Sequence, residues 1–252
     1  MVAGKHLIRS KPTMRLDQAL VAAGLTDSRA RAQELITAGV VLVAGKPAKK
    51  PSQKVSAETL SLTENPNPYV SRAALKLANA LKSFNISPNG AIALDVGAST
   101  GGFTQVLLEN GARCVYALDV GHGQLHSKLL DDPRVVNLEG HNAKHIPEGL
   151  VPALDFIVTD VSFISLTKAL PKALSLAKSG GLFIGLIKPQ FEVGRAMIGK
   201  SGIVKDAAAK AKARTDVRTF LEAEGWAISH EGESPILGQH GNQEFLIAAV
   251  KL

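Results

Sequence analysis

The stretch Asp95-Val-Gly-Ala-Ser-Thr-Gly-Gly-Phe-Thr104 decides the fold of this chain. An apolar run before it predicts a buried strand, and the residues after Gly101 predict a helix. Glycines in such a loop let the backbone approach a ligand at the carboxyl edge of a sheet. Ala98 and Ser99 break the G-x-G-x-x-G spacing of dinucleotide-binding folds. The loop therefore favours a nucleoside without a pyrophosphate, and a purely structural turn is the alternative.

Strands and helices alternate around this loop. The predicted strands are residues 91–96, 113–118, 135–138, 156–160, 182–187, 227–230 and 245–250, and the predicted helices are residues 71–84 and, approximately, 102–110, 166–178 and 205–224. Such alternation is typical of a mostly parallel sheet covered by helices on both faces. We therefore predict an α/β domain with a Rossmann-like, mostly parallel seven-stranded sheet.

The first quarter of the chain has a different pattern. Residues 14–24 predict one short helix, and a second begins at Asp27 or Ser28, either of which can cap it, and stops at Gly39. Residues 40–43 then predict a strand. Two helices with short strands indicate a small α+β domain.

The boundary between the two domains is predicted at Asn-Pro-Asn-Pro, residues 65–68. Each proline lacks an N–H and restricts the residue before it, so this segment can continue neither a helix nor a central strand. We expect the small domain over residues 1–64, a linker over residues 65–70 and the α/β domain over residues 71–252.

Positive charge is concentrated in the small domain. The chain has 29 Lys and Arg against 22 Asp and Glu, and residues 1–64 hold ten of the basic and five of the acidic residues. Basic side chains gain free energy by displacing counterions from phosphates, so a nucleic acid is the expected partner, with an ordinary solvated surface as the alternative. The candidate RNA-binding residues are Arg15, Arg29, Arg31, Lys46, Lys49 and Lys50, and Arg29 and Arg31 are expected to be exposed.

Several classes of protein are excluded by composition. Cys114 is the single cysteine, which leaves no disulfide framework and no thiol-rich metal site. No apolar stretch approaches the roughly 18–20 residues that span a bilayer, and the first residues lack the apolar core of a signal peptide. We expect a cytoplasmic protein without stable membrane association.

Four charged residues stand at the ends of predicted elements. Asp160 and Lys188 lie at strand ends, Glu244 lies at the start of the last strand, and Lys76 lies on the helix before the first strand. A charge at the end of an apolar strand costs free energy to desolvate unless it is paired. A functional cluster is one explanation, and a structural salt bridge between Asp160 and Lys188 is the other.

Taken together, these segments resemble one known family. The strings YVSRAALKL from Tyr69, DVGASTGGFT, ALDVGHGQL, TDVSFIS, IKPQFEVGR and NQEF resemble the TlyA family, haemolysin-A-like proteins with an FtsJ-type methyltransferase domain. The N-terminal RLDQAL and SRARAQELITAGVVLVAGKPAKKPS are similar to its RNA-binding module, named after a small-subunit ribosomal protein. The pair Ala73-Ala74 departs from two glycines that are common in the family.

The resemblance implies transfer of a methyl group from S-adenosylmethionine to a ribose 2′-hydroxyl of ribosomal RNA, with a cytidine as the leading target. Lys76, Asp160, Lys188 and Glu244 match the Lys-Asp-Lys-Glu tetrad of the family. A 2′-hydroxyl is a poor nucleophile, so a positioned base must take its proton. We assign Lys188 as the base. A lowered pKa would be favoured by burial and by Lys76 and opposed by the two acids.

Cofactor contacts follow from the same resemblance. The loop residues assigned to S-adenosylmethionine are Asp95, Gly97, Ser99, Gly101, Gly102 and Phe103, with Asp119 at its ribose and Asn142 near its adenine. No metal is expected, because the sulfonium already activates the methyl group. The pairs His122 with His126 and His141 with His145 have zinc-ligand spacing but no evident third ligand.

Three other functions remain open from the sequence. The chain could be an RNA-binding protein with a degenerate methyltransferase domain, a membrane-lytic haemolysin, or a nucleotide-dependent oxidoreductase. The intact loop and tetrad disfavour the first. The absence of a spanning segment or a convincing lytic helix disfavours the second, and the basic small domain has no role in the third.

Overall fold

The computed structural model describes residues 13–26, 28–56, 59–63, 68–199, 201–238 and 241–252. The chain divides into two units, Met1–Pro68 and Tyr69–Leu252. This division falls inside the linker predicted over residues 65–70. Residues 64–67 of that region and Asp27, one of the two predicted helix caps, lie outside the described residues.

The first unit has the predicted α+β architecture. Its elements are β1 (Met14–Arg15), α1 (Leu16–Ala22), α2 (Arg29–Thr37), β2 (Val41–Val43), β3 (Lys46–Pro47), β4 (Lys54–Val55) and β5 (Leu60–Leu62). Strand β1 pairs with β4, β2 lies between β3 and β5, and all these pairs are antiparallel. The two helices bury Leu16, Leu20, Leu35 and Ile36 in a small core.

Local chemistry sets the helix ends in this unit. Ser28 caps α2, because its Oγ accepts a hydrogen bond of 3.2 Å from the N–H of Arg31. Gly39, with φ of +75°, follows α2 in a left-handed conformation that favours glycine. The first helix is shorter than predicted at its start, because Met14 and Arg15 pair with β4 as a strand.

A buried carboxylate joins the two helices. Asp17 of α1 is fully buried, and both of its oxygens accept hydrogen bonds of 3.0 Å from the guanidinium of Arg15. Arg29 and Gln33 of α2 also donate to it, at 3.3 and 3.2 Å. The Arg15 hydrogen bonds hold the pKa of Asp17 well below its usual range. This stabilisation is therefore present above the unfolded pKa of an aspartate and is lost as the pH falls through the lower folded pKa.

The second unit contains the predicted sheet. Its strands are β6 (Ile92–Val96), β7 (Cys114–Asp119), β8 (Val135–Glu139), β9 (Leu154–Thr159), β10 (Ala177–Ile187), β11 (Trp226–Glu233) and β12 (Phe245–Lys251). Their order is β11-β12-β10-β9-β6-β7-β8. The pairs from β10 to β8 are parallel, whereas β12 runs antiparallel to both of its neighbours.

Helices cover both faces of this sheet. They are α3 (Ala74–Phe84), α4 (Gly102–Glu109), α5 (Ser127–Leu130), α6 (Leu166–Ala169), α7 (Pro171–Leu174), α8 (Pro189–Glu192) and α9 (Ala207–Ala223). Neighbouring residues of a strand point to opposite faces, and accordingly Phe156 and Ile157 belong to two different apolar clusters. The mostly parallel α/β fold predicted from the sequence is confirmed.

One predicted element is wrong. The single helix expected over residues 166–178 is two short helices, α6 and α7, and β10 already begins at Ala177. Pro171 stands at the first position of α7, where its missing N–H and fixed φ are tolerated, but it cannot continue the preceding helix.

The reversed direction of β12 matters for the position of Glu244. The register pairs Ile187 with Phe245, so Lys188 follows β10 at the same edge where Glu244 precedes β12. Asp160 follows the parallel strand β9 at this edge too. One antiparallel strand thus adds a residue from a strand start to an edge otherwise formed by strand ends.

We predict that Asp17→Ala destabilises the packing of α1 on α2. The change removes the shared acceptor of two arginines and a glutamine, and hydrogen bonds to charged groups contribute about 1.5–3 kcal/mol each. Backbone amides of both helices should exchange with deuterium faster in the full chain, as measured by mass spectrometry. Gln18→Ala is the matched control, because Gln18 is exposed on the same helix. Equal exchange in the two variants would contradict the role of Asp17.

Candidate active site

The four predicted charged residues meet at the carboxyl edge of the sheet. Lys76 Nζ lies 2.6 Å from Glu244 Oε2 and 4.0 Å from Asp160 Oδ2. Lys188 Nζ lies 2.7 Å from Asp160 Oδ1. Asp160 therefore stands between the two lysines, and the four side chains form one cluster, which we call the tetrad.

Pairing offsets the cost of burying these charges. The side chains of Lys76 and Lys188 are each 9% exposed, that of Asp160 is 14% exposed and that of Glu244 is 2% exposed. Isolated charges at such depth would be strongly disfavoured, whereas two ammonium groups alternating with two carboxylates compensate one another. The Asp160–Lys188 salt bridge that was considered from the sequence is present, but it is part of this larger cluster.

Ser162 is a member of the site that the sequence did not reveal. Lys188 Nζ donates a hydrogen bond of 2.8 Å to Ser162 Oγ and another of 3.1 Å to the backbone oxygen of Asp160. Ser162 stands in the string TDVSFIS, two residues after Asp160. The alternating pattern there does not indicate a contact between this serine and a lysine 26 residues later in the chain.

A cavity of about 550 Å³ lies beside the tetrad. Four of the predicted cofactor residues line it, namely Gly97, Ser99, Asp119 and Asn142. Asp160 is the member of the tetrad that lines this cavity. The apolar residues in its walls include Val96, Leu118, Val120, Val161, Phe163 and Ile164. A mostly apolar cavity of this size with a few polar groups is typical of a small-molecule site.

Two contacts fix the loop that borders this cavity. Ser99 donates its backbone N–H to Asp119 Oδ2 at 2.9 Å, which ties the loop after β6 to the end of β7. Gly97 has φ of +83°, and a Cβ there would lie 2.9 Å from Val161 Cγ1. Only glycine lets the two backbones approach so closely, so the open floor of the cavity depends on this residue.

Asp95 and Gly101 are placed behind the loop rather than in the cavity. Asp95 is fully buried and accepts a hydrogen bond of 2.7 Å from Thr104 Oγ1. Burial raises the pKa of Asp95 to about 7, and the hydrogen bond from Thr104 opposes part of that rise. A Cβ on Gly101 would lie 2.1 Å from Leu129 Cδ1, so this glycine serves close packing. Both residues therefore support the conformation of the loop and do not line the cavity.

A smaller cavity of about 190 Å³ adjoins the first. Gly102 and Phe103, the remaining predicted cofactor residues, line it together with Ser71. Ser71 Oγ is buried and has no hydrogen-bond partner within the part of the chain that the structure describes. Because a buried hydroxyl without a partner costs free energy, this atom indicates a polar ligand group at that point.

A third cavity, of about 410 Å³, opens on the other side of the tetrad. Lys76, Lys188 and Glu244 line it, and the aromatic rings of Phe163 and Phe191, 5.2 Å apart between centroids, form part of its wall. Ser162 lines all three cavities. The cavity suited to a cofactor and the cavity suited to a substrate therefore share Ser162 and Phe163, and Ser162 contacts Lys188.

Glu192 connects the loop after Asp160 to the segment after Lys188, and the sequence did not identify it as part of the site. Its carboxylate accepts hydrogen bonds from Ser165 Oγ at 2.6 Å and from the backbone N–H of Leu166 at 2.9 Å. Burial raises the pKa of this carboxyl above its usual range. The loop that follows Asp160 is thereby held against the segment that follows Lys188.

The predicted RNA-binding residues belong to the first unit. Lys46, Lys49 and Lys50 are exposed, as is Arg29, and the side chain of Arg15 is 43% exposed beside Asp17. The expectation that Arg31 is exposed is wrong. Its side chain is only 13% exposed, and its guanidinium lies 2.9 Å from Glu34 Oε2.

Within residues 13–26, 28–56, 59–63, 68–199, 201–238 and 241–252, no group of three or more His, Cys, Asp or Glu is placed to hold a metal ion. None of the helices in those ranges is long and apolar enough to cross a membrane. On α9, Lys212 pairs with Asp216, and Arg214 and Arg218 both pair with Glu231.

Comparisons with known proteins cover nearly the whole chain. Residues 69–251 match the model of the FtsJ-like methyltransferase family, and residues 14–60 match that of the S4 domain. The 16S/23S rRNA (cytidine-2′-O)-methyltransferase TlyA of Mycobacterium tuberculosis is 44% identical, covering 92% of this chain and 88% of its own. Hemolysin A of Brachyspira hyodysenteriae is 42% identical, covering 92% and 98%. A solved structure from Streptococcus thermophilus, whose name classes it among the hemolysins, is 40% identical with a TM-score of 0.76, covering 96% and 90%.

The buried carboxyl of Asp95 gives a pH-dependent prediction. Its folded pKa lies above its unfolded value of 3.8, so its contribution to stability is greatest at low pH and is lost as the pH rises through about 7. A shift of this size corresponds to about 4 kcal/mol at most. Relative to Asp95→Asn, the wild-type chain should therefore lose free energy of unfolding as the pH rises from about 4 to about 7, measured by urea denaturation. The same pH dependence in both proteins would show that Asp95 does not titrate in this way.

Proposed function

The chain belongs to the TlyA family of FtsJ-like methyltransferases, and on that premise we propose that it transfers a methyl group from S-adenosylmethionine to a ribose 2′-hydroxyl of ribosomal RNA. A cytidine is the proposed target nucleoside, as the name of the mycobacterial relative states for that protein. One observation carries the proposal. The cavity that suits the cofactor and the cavity that suits the nucleotide share Ser162, which accepts a hydrogen bond from Lys188.

The residues around the larger cavity fit S-adenosylmethionine. The carboxylate of Asp119 is suited to accept hydrogen bonds from ribose hydroxyls, and Asn142 lies further along the wall, as expected for a residue near adenine. Ser71 Oγ, which is buried without a partner in the described chain, suits the polar amino-acid end of the cofactor. When bound, the cofactor supplies an electrophilic methyl group on a positively charged sulfur.

Lys188 is the proposed base for the ribose hydroxyl. A hydroxyl attacks poorly unless its proton is removed as it reacts, and a positioned base contributes about 10²–10⁴ in rate. Lys188 accepts that proton only in its neutral form. Asp160 and Glu244 orient Lys188 and Lys76, respectively, through contacts of 2.7 and 2.6 Å. The ammonium of Lys76 is suited to stabilise negative charge that develops on the ribose oxygen.

The S4 domain supplies RNA binding in this proposal. Arg15 and Arg29 are held side by side by Asp17, and their guanidinium groups keep exposed edges that can donate to phosphate oxygens. Lys46, Lys49 and Lys50 add exposed positive charge. We propose that the unit engages ribosomal RNA within a ribosomal subunit, which places the protein in the cytoplasm.

A protein whose methyltransferase domain had lost its activity would not need an intact tetrad beside open cavities. The tetrad retains its charges and mutual contacts, and the adjoining cavities are open, which favours an active methyltransferase over an RNA-binding protein with a degenerate domain. Nothing in the described residues favours an oxidoreductase or a lytic protein, and the name Hemolysin A belongs to the relative that carries it.

The test of this function is transfer of labelled methyl from S-adenosylmethionine to purified ribosomal subunits and to naked ribosomal RNA. Nuclease digestion of the product should release a labelled 2′-O-methyl nucleoside, and mapping should place it at a cytidine. Label on a base instead of a ribose would refute the proposed chemistry. Binding of the cofactor without any methyl transfer would point to a different RNA substrate or to a catalytically inactive domain.

We predict that Lys188→Ala lowers the rate of methyl transfer at least about 100-fold, because the proton acceptor is removed. Binding of S-adenosylmethionine, measured by calorimetry, should be retained. Lys178→Ala is the matched control, since Lys178 lies on the same strand at its opposite end and pairs with Asp155 on the surface. Full activity of the Lys188 variant would eliminate this lysine as the base.

A further inference from the structure

The surroundings of Lys188 restrict how a proton can reach it. Three oxygen atoms lie around Nζ: Asp160 Oδ1 at 2.7 Å, the backbone oxygen of Asp160 at 3.1 Å and Ser162 Oγ at 2.8 Å. The side chain is only 9% exposed. The backbone oxygen of Asp160 and Ser162 Oγ accept hydrogen bonds from Nζ, whereas Asp160 Oδ1 is its ion-pair partner.

The three oxygens differ in what they can do when Lys188 is neutral. A neutral amine has a lone pair that requires a hydrogen-bond donor. A carboxylate and a carbonyl are acceptors only, whereas a serine hydroxyl both donates and accepts. Of the three, only Ser162 can therefore satisfy the lone pair of neutral Lys188, by turning its O–H toward Nζ.

Ser162 is also placed where the substrate must come. It lines the cofactor cavity, the small cavity beside it and the substrate cavity, whereas Asp160 lines two of these and Lys76 lines one. Its hydroxyl is thus within reach of the junction where a ribose oxygen would meet a methyl donor. Lys188 lines the small cavity and the substrate cavity but not the cofactor cavity.

We propose that Ser162 is a catalytic residue that relays the proton of the ribose 2′-hydroxyl to Lys188, an inference that rests on the proposed methyl transfer. As O2′ forms its bond to the methyl carbon, its O–H bond breaks and the proton passes to Ser162 Oγ. The original hydroxyl proton of Ser162 passes to the lone pair of Lys188 Nζ, which becomes an ammonium. The electron pair of the broken sulfur–methyl bond stays on sulfur, which leaves as a neutral thioether, so atoms and charge balance.

Two substitutions separate a relay from a structural role. Ser162→Ala removes the hydroxyl, and Ser162→Thr keeps it with one added methyl group on an exposed residue. Ser179→Ala is the control, because Ser179 is an exposed serine near the opposite end of the strand that leads to Lys188. Each protein is assayed as the full chain for single-turnover methyl transfer to ribosomal RNA, for binding of S-adenosylmethionine and RNA, and for the dependence of the rate on the D₂O fraction.

The expected result for Ser162→Ala is a fall of at least about tenfold in the single-turnover rate, since a proton-transferring group is lost, with cofactor and RNA affinities unchanged. Ser162→Thr should recover most of the rate, and Ser179→Ala should match the wild type. Two protons move together in the relay, so the wild-type rate plotted against the D₂O fraction should be curved. In Ser162→Ala only one proton would move, and the same plot should be linear.

Other outcomes overturn the relay. A wild-type rate in Ser162→Ala, or a threonine variant as slow as the alanine variant, would show that the hydroxyl carries no proton. Loss of cofactor binding in Ser162→Ala would assign the residue to binding instead. If the wild-type chain does not methylate ribose, the proposed function is refuted. If the wild type is active and Ser162→Ala is equally active, only the relay is refuted.

Discussion

The structure depends on keeping four charges together at one edge of an apolar sheet. Two ammonium groups and two carboxylates are nearly removed from water there, and each would be strongly disfavoured alone. They tolerate burial because each positive group faces a negative one, at 2.6 Å for Lys76 with Glu244 and 2.7 Å for Lys188 with Asp160. This requirement constrains the topology: α3, β9, β10 and the antiparallel β12 must all present their charged residue to the same place.

Much of this edge could be predicted from the sequence. Apolar strands that end abruptly in Asp160 or Lys188 show where the carboxyl edge lies, because parallel strands in an α/β fold end together. Glycines 97, 101 and 102 mark the loop at the same edge. The position of Lys76 on the helix before the first strand suggested its grouping with the other three, and the resemblance to a family identified the four as a catalytic tetrad.

What escaped prediction concerns the direction of side chains. A strand pattern shows that Asp95 stands beside the loop, but not that its carboxyl points beneath it to Thr104. Ser162 and Glu192 act through partners 26 residues away or more, which periodicity does not encode. Arg31 follows Ser28 at a helix start where exposure is the ordinary expectation, yet Glu34, one turn later, draws its guanidinium onto the helix surface. In each case a specific hydrogen-bond partner decides the outcome.

Lys188 Nζ is held by its ion pair with Asp160 and by hydrogen bonds to Ser162 Oγ and to the backbone oxygen of Asp160. Each proposed turnover leaves the ribose proton on Lys188, so that proton must leave before the next ribose can react. Asp160 Oδ1 is buried, whereas Ser162 is exposed and borders three cavities. The hydroxyl that delivers the proton is thus also the group best placed to return it to water once the product has left. A site built on paired charges needs one group that both donates and accepts, and here that group is a serine.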